Sequence, residues 1–343
     1  MSWTSTALQL KKRARANTER GKRRVLAAIV VTGSSSSSTV SSGNGQSSWS
    51  TVSVAGTSAQ ARTIERLKRS GAGEVSIVST LSERDISAQP SGDDLTGFRT
   101  IGEQLRSFEH KRFDAVLIAS GEAYIECDLA VLLGSHRAHG DVVSRACDKA
   151  GPLDLWIVDP TRFNEGEEAL KVLQTTSVQM IEVQGYVNCL KTAGDFRRFV
   201  ADILMSRCQS RPAAFETRPG VWIAEGAQIA RGARVVAPAF VGRGVRVAQD
   251  CLITRCSNIE SNSYIDFGTA VEDSSILPNT YIGIGLDLSH SIVDGQSVLN
   301  LRHNVKLQIT DPVVMRRNGS RTLAHNSQMG FEMKTVALSS GDR

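Results

Sequence analysis

Nine isoleucine or valine residues stand at an unbroken six-residue spacing in the second half of the chain: Ile223, Ile229, Val235, Val241, Val247, Ile253, Ile259, Ile265 and Val271. Four residues after each comes a small or β-branched one: Ala227, Ala233, Ala239, Val245, Cys251, Ser257, Ser263, Thr269 and Ser275. An α-helix repeats every 3.6 residues and a flat strand every 2, so a period of six belongs to neither. It fits a solenoid in which each hexad forms one flat side of a triangular coil and the aliphatic residue fills the interior. Ile276, Ile282 and Leu288 continue the spacing after a one-residue slip, which makes twelve hexads, or four coils of three. At a strand spacing of about 4.8 Å that is a prism roughly 19 Å long. Such a prism is a scaffold, and its chemistry has to be sought in particular side chains.

The hexads read Ile223-Ala-Glu-Gly-Ala-Gln and Val241-Gly-Arg-Gly-Val-Arg, which resembles the hexapeptide-repeat left-handed β-helix family. The resemblance implies left-handed coiling, against the usual right-handed crossover preference. Many members of that family are trimeric acyltransferases with a histidine on or beside the prism. Here no histidine lies between Arg218 and Leu288, while His290 stands at the last coil and His303 follows it. A lone histidine at a coil edge reads as solvated or structural.

At 343 residues the chain has room for two domains, each with its own core. Its net charge of +5 is unevenly spread. Residues 1–24 carry eight Lys or Arg against the single acid Glu19, and the remainder holds 32 basic against 34 acidic residues. The basic balance therefore belongs to a terminal arm, read as disordered and solvated, and no specific nucleic-acid surface is expected. No run of 18 apolar residues is present, so no transmembrane helix is expected. Val25–Val31, after the basic run, imitates a signal peptide but is short and lacks a small-x-small cleavage site; it reads as a buried strand. The six cysteines show no CxxC spacing and suit reduced thiols in a cytoplasmic protein.

From Val25 to about Met205 strand and helix patterns alternate. Strands are expected at Val25–Val31, Glu74–Ser79, Ala115–Ala119 and Leu153–Val158. Helices are expected at Thr57–Ser70, Gly102–His110, Asp128–His139 and Asp195–Met205. This order predicts a three-layer, Rossmann-like α/β domain over 25–208, with its ligand site beyond the carboxyl ends of the strands. The β-helix is expected over 218–300 and a C-terminal tail over 301–343.

The order of segments resembles the sugar-1-phosphate nucleotidyltransferases of the mannose- and glucose-1-phosphate type, some of which carry a C-terminal left-handed β-helix. Val30-Val-Thr-Gly33, a long polar loop and Val54-Ala-Gly56 match the start of that domain. Ile118-Ala-Ser-Gly-Glu-Ala-Tyr-Ile-Glu-Cys-Asp-Leu129 matches its G-D-x-x-x-x-x-D-L stretch, and Gly185-Tyr-Val-Asn-Cys-Leu-Lys-Thr192 its D-x-G-T-P segment. The resemblance implies nucleotide contacts at Gly33, Ser34 and Gly121, and a metal position at Glu122. Mg²⁺ is implied only if the domain is catalytically active; no other cofactor is evident.

The chain departs from the family where charge matters. Nucleotidyl transfer needs cations around the triphosphate, and the family supplies an Arg and a Lys from its first loop. Between Thr32 and Gln60 this chain has neither, and residues 34–53 hold eleven serines in twenty positions. The metal-binding Asp becomes Glu122, and the Asp of the D-x-G-T segment becomes Cys189, a poor ligand for a hard cation. Glu126 and Asp128 are nearby acids that also suit a helix N-terminus, and His136 with His139 suits a helix C-terminus as well as a metal pair.

Three functions compete. The first is a non-catalytic nucleotidyltransferase-like assembly or regulatory module in polysaccharide or envelope sugar metabolism. It would bind a nucleotide or sugar phosphate and form homo-oligomers or meet a protein partner through the β-helix. The second is an active sugar-1-phosphate nucleotidyltransferase with an unusual serine loop. The third is a hexapeptide-repeat acyltransferase. The missing loop cations favour the first.

Overall fold

A computed structural model describes residues 24–32, 48–79, 94–162 and 178–318. The chain forms two compact units. One comprises Met1–Ser34, Ile64–Ser120 and Asp128–Gln184, and the other Ser35–Thr63, Gly121–Cys127 and Gly185–Arg343. The basic arm, most of the serine loop and the end of the C-terminal tail lie outside the described residues.

The first unit is built on a six-stranded sheet in the order Glu74–Ser79, Arg24–Thr32, Phe113–Ser120, Gly151–Val158, Val143–Asp148, Gln179–Glu182. Its first three strands are parallel. Leu26 to Val31 are all buried, as a continuous apolar run demands of a central strand covered on both faces. Ile101, Leu105 and Phe108, spaced four and three apart on the helix Asp94–His110, pack into the same core as Phe113, Ile118 and Trp156.

The sheet is mixed, not uniformly parallel. Gly151–Val158 runs antiparallel to both neighbours and forms a hairpin with Val143–Asp148. Asp148 closes the turn by accepting the N–H groups of Ala150 and Gly151 at 2.8 and 3.0 Å.

In the second unit three ladders of short parallel strands stack side by side, an arrangement compatible with a β-helix. The first face contains Val221–Ile223, Ala239–Val241, Ser257–Ile259, Ser275–Ile276 and Ser291–Asp294. The second contains Gln228–Ile229, Arg246–Val247, Tyr264–Ile265 and Thr280–Ile282. The third contains Arg234–Val235, Leu252–Thr254, Ala270–Glu272 and Asp287–Ser289. Val241 to Ile282 of the hexad series are completely buried and form one core, with Ile223 and Ile229 packed against its end. A thirteenth strand extends the series, because Ile276 pairs with Val293.

Each flat side must turn a sharp corner, and most corners use left-handed backbone. Gly226, Gly244, Asn262 and Asn279 stack on one edge, and Gly232, Asp250, Gly268 and Gly285 on another, all at positive φ. Gly and Asn tolerate that region best. The third edge starts at Ala237-Pro238, passes through Arg255 and Cys256, and shortens to Asp273 and then His290. This shortening is the one-residue slip seen in the sequence.

The small positions after the aliphatic residues tie successive coils together. Thr269 donates its hydroxyl to Gly283 O at 2.7 Å and accepts the N–H of Leu286 at 3.1 Å. Ser257 and Ser263 make the equivalent pairs of contacts, and after the one-residue slip Ser274 makes them in place of the expected Ser275, whose hydroxyl meets Asn258 and Arg197 instead. In the earlier coils Ala227, Val245 and Cys251 fill this column.

After residue 300 the described residues run to Asn318. Val305–Gln308 pairs antiparallel with Ser297–Asn300, and Met315–Arg317 pairs antiparallel with Thr280–Ile282. Antiparallel capping strands have no six-residue spacing, which is why the sequence pattern stops before them.

The outer side of the first face is covered within this unit. The helix Ala193–Leu204 and residues 49–59 pack Phe196, Phe199, Ile203, Trp49 and Val54 into one cluster with Phe240, Leu277 and Ile292. This helix, which the sequence groups with the α/β segment, lies in the same unit as the stacked strands. Among the described residues no helix is long and apolar enough to cross a membrane.

Candidate functional site

The strands Ser53–Val54 and Thr57–Ser58 form a tight hairpin around Ala55 and Gly56, at φ 50° and 89°. Two consecutive left-handed residues suit a two-residue hairpin turn and leave their N–H groups aimed outward. Both are taken by Glu260. Ala55 N donates to Oε1 at 2.7 Å, Gly56 N to Oε2 at 3.1 Å and Ser53 Oγ to Oε2 at 2.7 Å; Asn258 Nδ2 reaches Oε1 at 2.8 Å. Glu260 has no exposed surface. Burial pushes its carboxyl above the ordinary range, and the four donors pull the other way.

Arg197 continues this network from the helix Ala193–Leu204. Its Nη1 donates to Asn258 Oδ1 at 3.1 Å and Ser275 Oγ at 2.7 Å, and its Nη2 to Cys256 O at 3.1 Å and Asp273 Oδ1 at 2.9 Å. Burial lowers the Arg197 pKa, and the Asp273 carboxylate opposes that shift. The far oxygen of Asp273 lies 2.6 Å from His290 Nδ1. From Glu260 through Asn258, Arg197 and Asp273 to His290, polar groups form one connected chain.

A second buried carboxylate is held similarly. Glu126 is 3 % exposed and accepts from Gln209 N at both oxygens, from Ser210 N at 3.1 Å and from the Tyr124 hydroxyl at 2.9 Å. The expectation of a helix N-terminus is met by its neighbour instead. Asp128 caps the helix Leu129–His139 through Ala130 N and Val131 N.

The sequence-derived positions fall as follows. Gly33 and Ser34 lie outside the described residues. Gly121 is buried, directly after the strand Phe113–Ser120. Glu122 is half-buried, and its Oε2 receives the hydroxyls of both Ser48 and Ser50, the latter at 3.2 Å. Cys189 is exposed. His136 and His139 do not form a pair: His136 Nδ1 contacts Ser144 Oγ at 2.8 Å in the interior, and His139 Nδ1 contacts Ser135 O. Burial lowers the His136 pKa, and Gly140 caps their helix in left-handed conformation.

In the first unit the parallel strand order places Arg24–Thr32 between its two neighbours, so the topological switch point lies beside it. The carboxyl ends there present Thr32, Ser79 and Ser120, with Thr32 Oγ1 3.3 Å from Ser79 Oγ. These are hydroxyls without positive charge. Among the described residues no three His, Cys, Asp or Glu side chains converge as a metal site.

Glu260 and Arg197 are the polar residues that sequence reading missed. Both leave a trace. Glu260 stands in a column whose neighbours in adjacent coils are Gly242 and Leu277, and Arg197 interrupts the apolar series Phe196, Phe199, Val200 and Ile203.

No protein-family model matches this sequence, and no curated protein matches it as a relative.

Proposed function

We propose that this chain is a non-catalytic protein of the sugar-1-phosphate nucleotidyltransferase type, joined to a left-handed β-helix and serving as an assembly or regulatory module in sugar-nucleotide or polysaccharide metabolism. One observation carries the reading. The donors of the Ala55-Gly56 turn, which lies in one of the segments that carry the resemblance, are satisfied by the chain's own Glu260. An internal carboxylate with four donors is already matched, so an incoming phosphate would have to displace a buried anion. Glu122, the position the resemblance assigns to metal, likewise accepts two serine hydroxyls. The free state of all six cysteines supports a reducing, cytoplasmic setting.

The test is thermal unfolding of the full chain with each nucleoside triphosphate, with and without Mg²⁺ and hexose 1-phosphate. A bound ligand at about 100 times its dissociation constant adds roughly 2.7 kcal/mol. The expected result is no rise in melting temperature that depends on triphosphate and Mg²⁺ together. A rise that requires both triphosphate and Mg²⁺ would support the active-enzyme reading instead.

A further inference from the structure

Charge is sorted along the stacked strands. Between Arg211 and Arg255 there are seven arginines and three acids; from Cys256 to Asn300 there are six acids and no Lys or Arg. The third face turns this gradient into a pattern. Its strands pair in register so that Arg234, Leu252, Ala270 and Asp287 form one column of outward positions. Arg234 and Asp287 are exposed, and Leu252 and Ala270 are half-buried. Neither Arg234 nor Asp287 makes an ion pair among the described residues.

A column reading positive, apolar, apolar, negative is complementary to its own reverse. We infer that the third face docks against the same face of a second copy, antiparallel, about a two-fold axis passing between Leu252 and Ala270. Each Arg234 then meets Asp287 of the other copy, and Leu252 meets Ala270. Parallel docking would set Arg234 on Arg234, which charge forbids. A two-fold contact is isologous, so every favourable pair occurs twice. Four strands at about 4.8 Å make a patch smaller than the roughly 800 Å² per partner of a standard interface, so the dimer is weak and reversible. The inference deepens the assembly reading by naming the partner as a second copy.

Sedimentation velocity of the full chain over a wide concentration range tests it. The wild type should dimerise reversibly and dissociate as salt rises. Arg234→Asp and Asp287→Arg should each weaken the dimer by about tenfold or more, because each sets like charges together twice. The double variant Arg234→Asp/Asp287→Arg should restore it to within about threefold. Circular dichroism checks that each variant folds, and the double variant keeps the test valid if one single variant does not. A wild type that stays monomeric, a dimer indifferent to either reversal, or a double variant no better than the singles would each overturn the inference. Nucleotide binding is a separate readout, so failure here leaves the non-catalytic reading standing.

Discussion

The backbone N–H of Ala55 lies 2.7 Å from Oε1 of Glu260, joining two residues 205 positions apart in sequence. The contact fixes a hairpin against the stacked strands by polar bonds in a place without solvent. A buried acceptor that serves four donors holds them all in one geometry, and its loss leaves each of them unmatched.

Glu260→Ala should therefore lower stability by about 3 kcal/mol or more, since the buried donors of Ala55 and Asn258 lose their acceptor at once, together with the part-buried donors of Ser53 and Gly56. Glu225→Ala, on a solvated corner, should leave the denaturant midpoint unchanged. Urea unfolding of the two variants checks this. Equal midpoints would show that the Glu260 contacts contribute little.

Thr269→Val keeps the volume of an interior side chain but removes a hydroxyl that donates to Gly283 O and accepts Leu286 N–H. Leaving both backbone groups unpartnered should cost about 1–3 kcal/mol. The midpoint should fall while the denaturant slope stays constant. No change would mean that the coils are held by their aliphatic core alone.

The alkaline limit follows from the phenols. The chain has four tyrosines, and burial pushes all of them upward: Tyr264 to about 12, with Tyr124, Tyr186 and Tyr281 also raised. In the unfolded chain they ionise near 10. The folded state favours the neutral phenol, so this stabilisation is fully present below pH 10 and is lost as pH rises from there through about 12. Phenolate absorbance should stay flat past pH 10 and then rise together with loss of the circular dichroism signal. A phenol titrating near 10 in the folded protein would contradict the burial of these rings.

The stacked strands were legible because one buried column repeats over twelve hexads, and even the slip at Val271–Ile276 corresponds to a real shortening of one corner. Helix boundaries were less so. The helix expected from Asp195 starts at Ala193, because Thr192 and Asp195 close a capping box around its first turn. The reversed strand Gly151–Val158 was hidden, since an apolar run looks the same in either direction. The polar network was illegible for a different reason. Glu260 with Ala55 and Arg197 with Asp273 are partnerships across long stretches of chain, and no local period records them.

Pyrophosphate release from the purified full chain, with each common nucleoside triphosphate, hexose 1-phosphate and Mg²⁺, tests the non-catalytic reading most directly. The chain has no Lys or Arg between Thr32 and Gln60, and the resemblance sets Cys189 where the family pattern has a carboxylate. Each aimed electrostatic group typically contributes about 2.7–4 kcal/mol to the transition state, so their joint loss should abolish useful turnover. The predicted result is no release above background, both in the wild type and in Cys189→Asp. Turnover in the ordinary enzyme range of roughly 1–10³ s⁻¹ would contradict it.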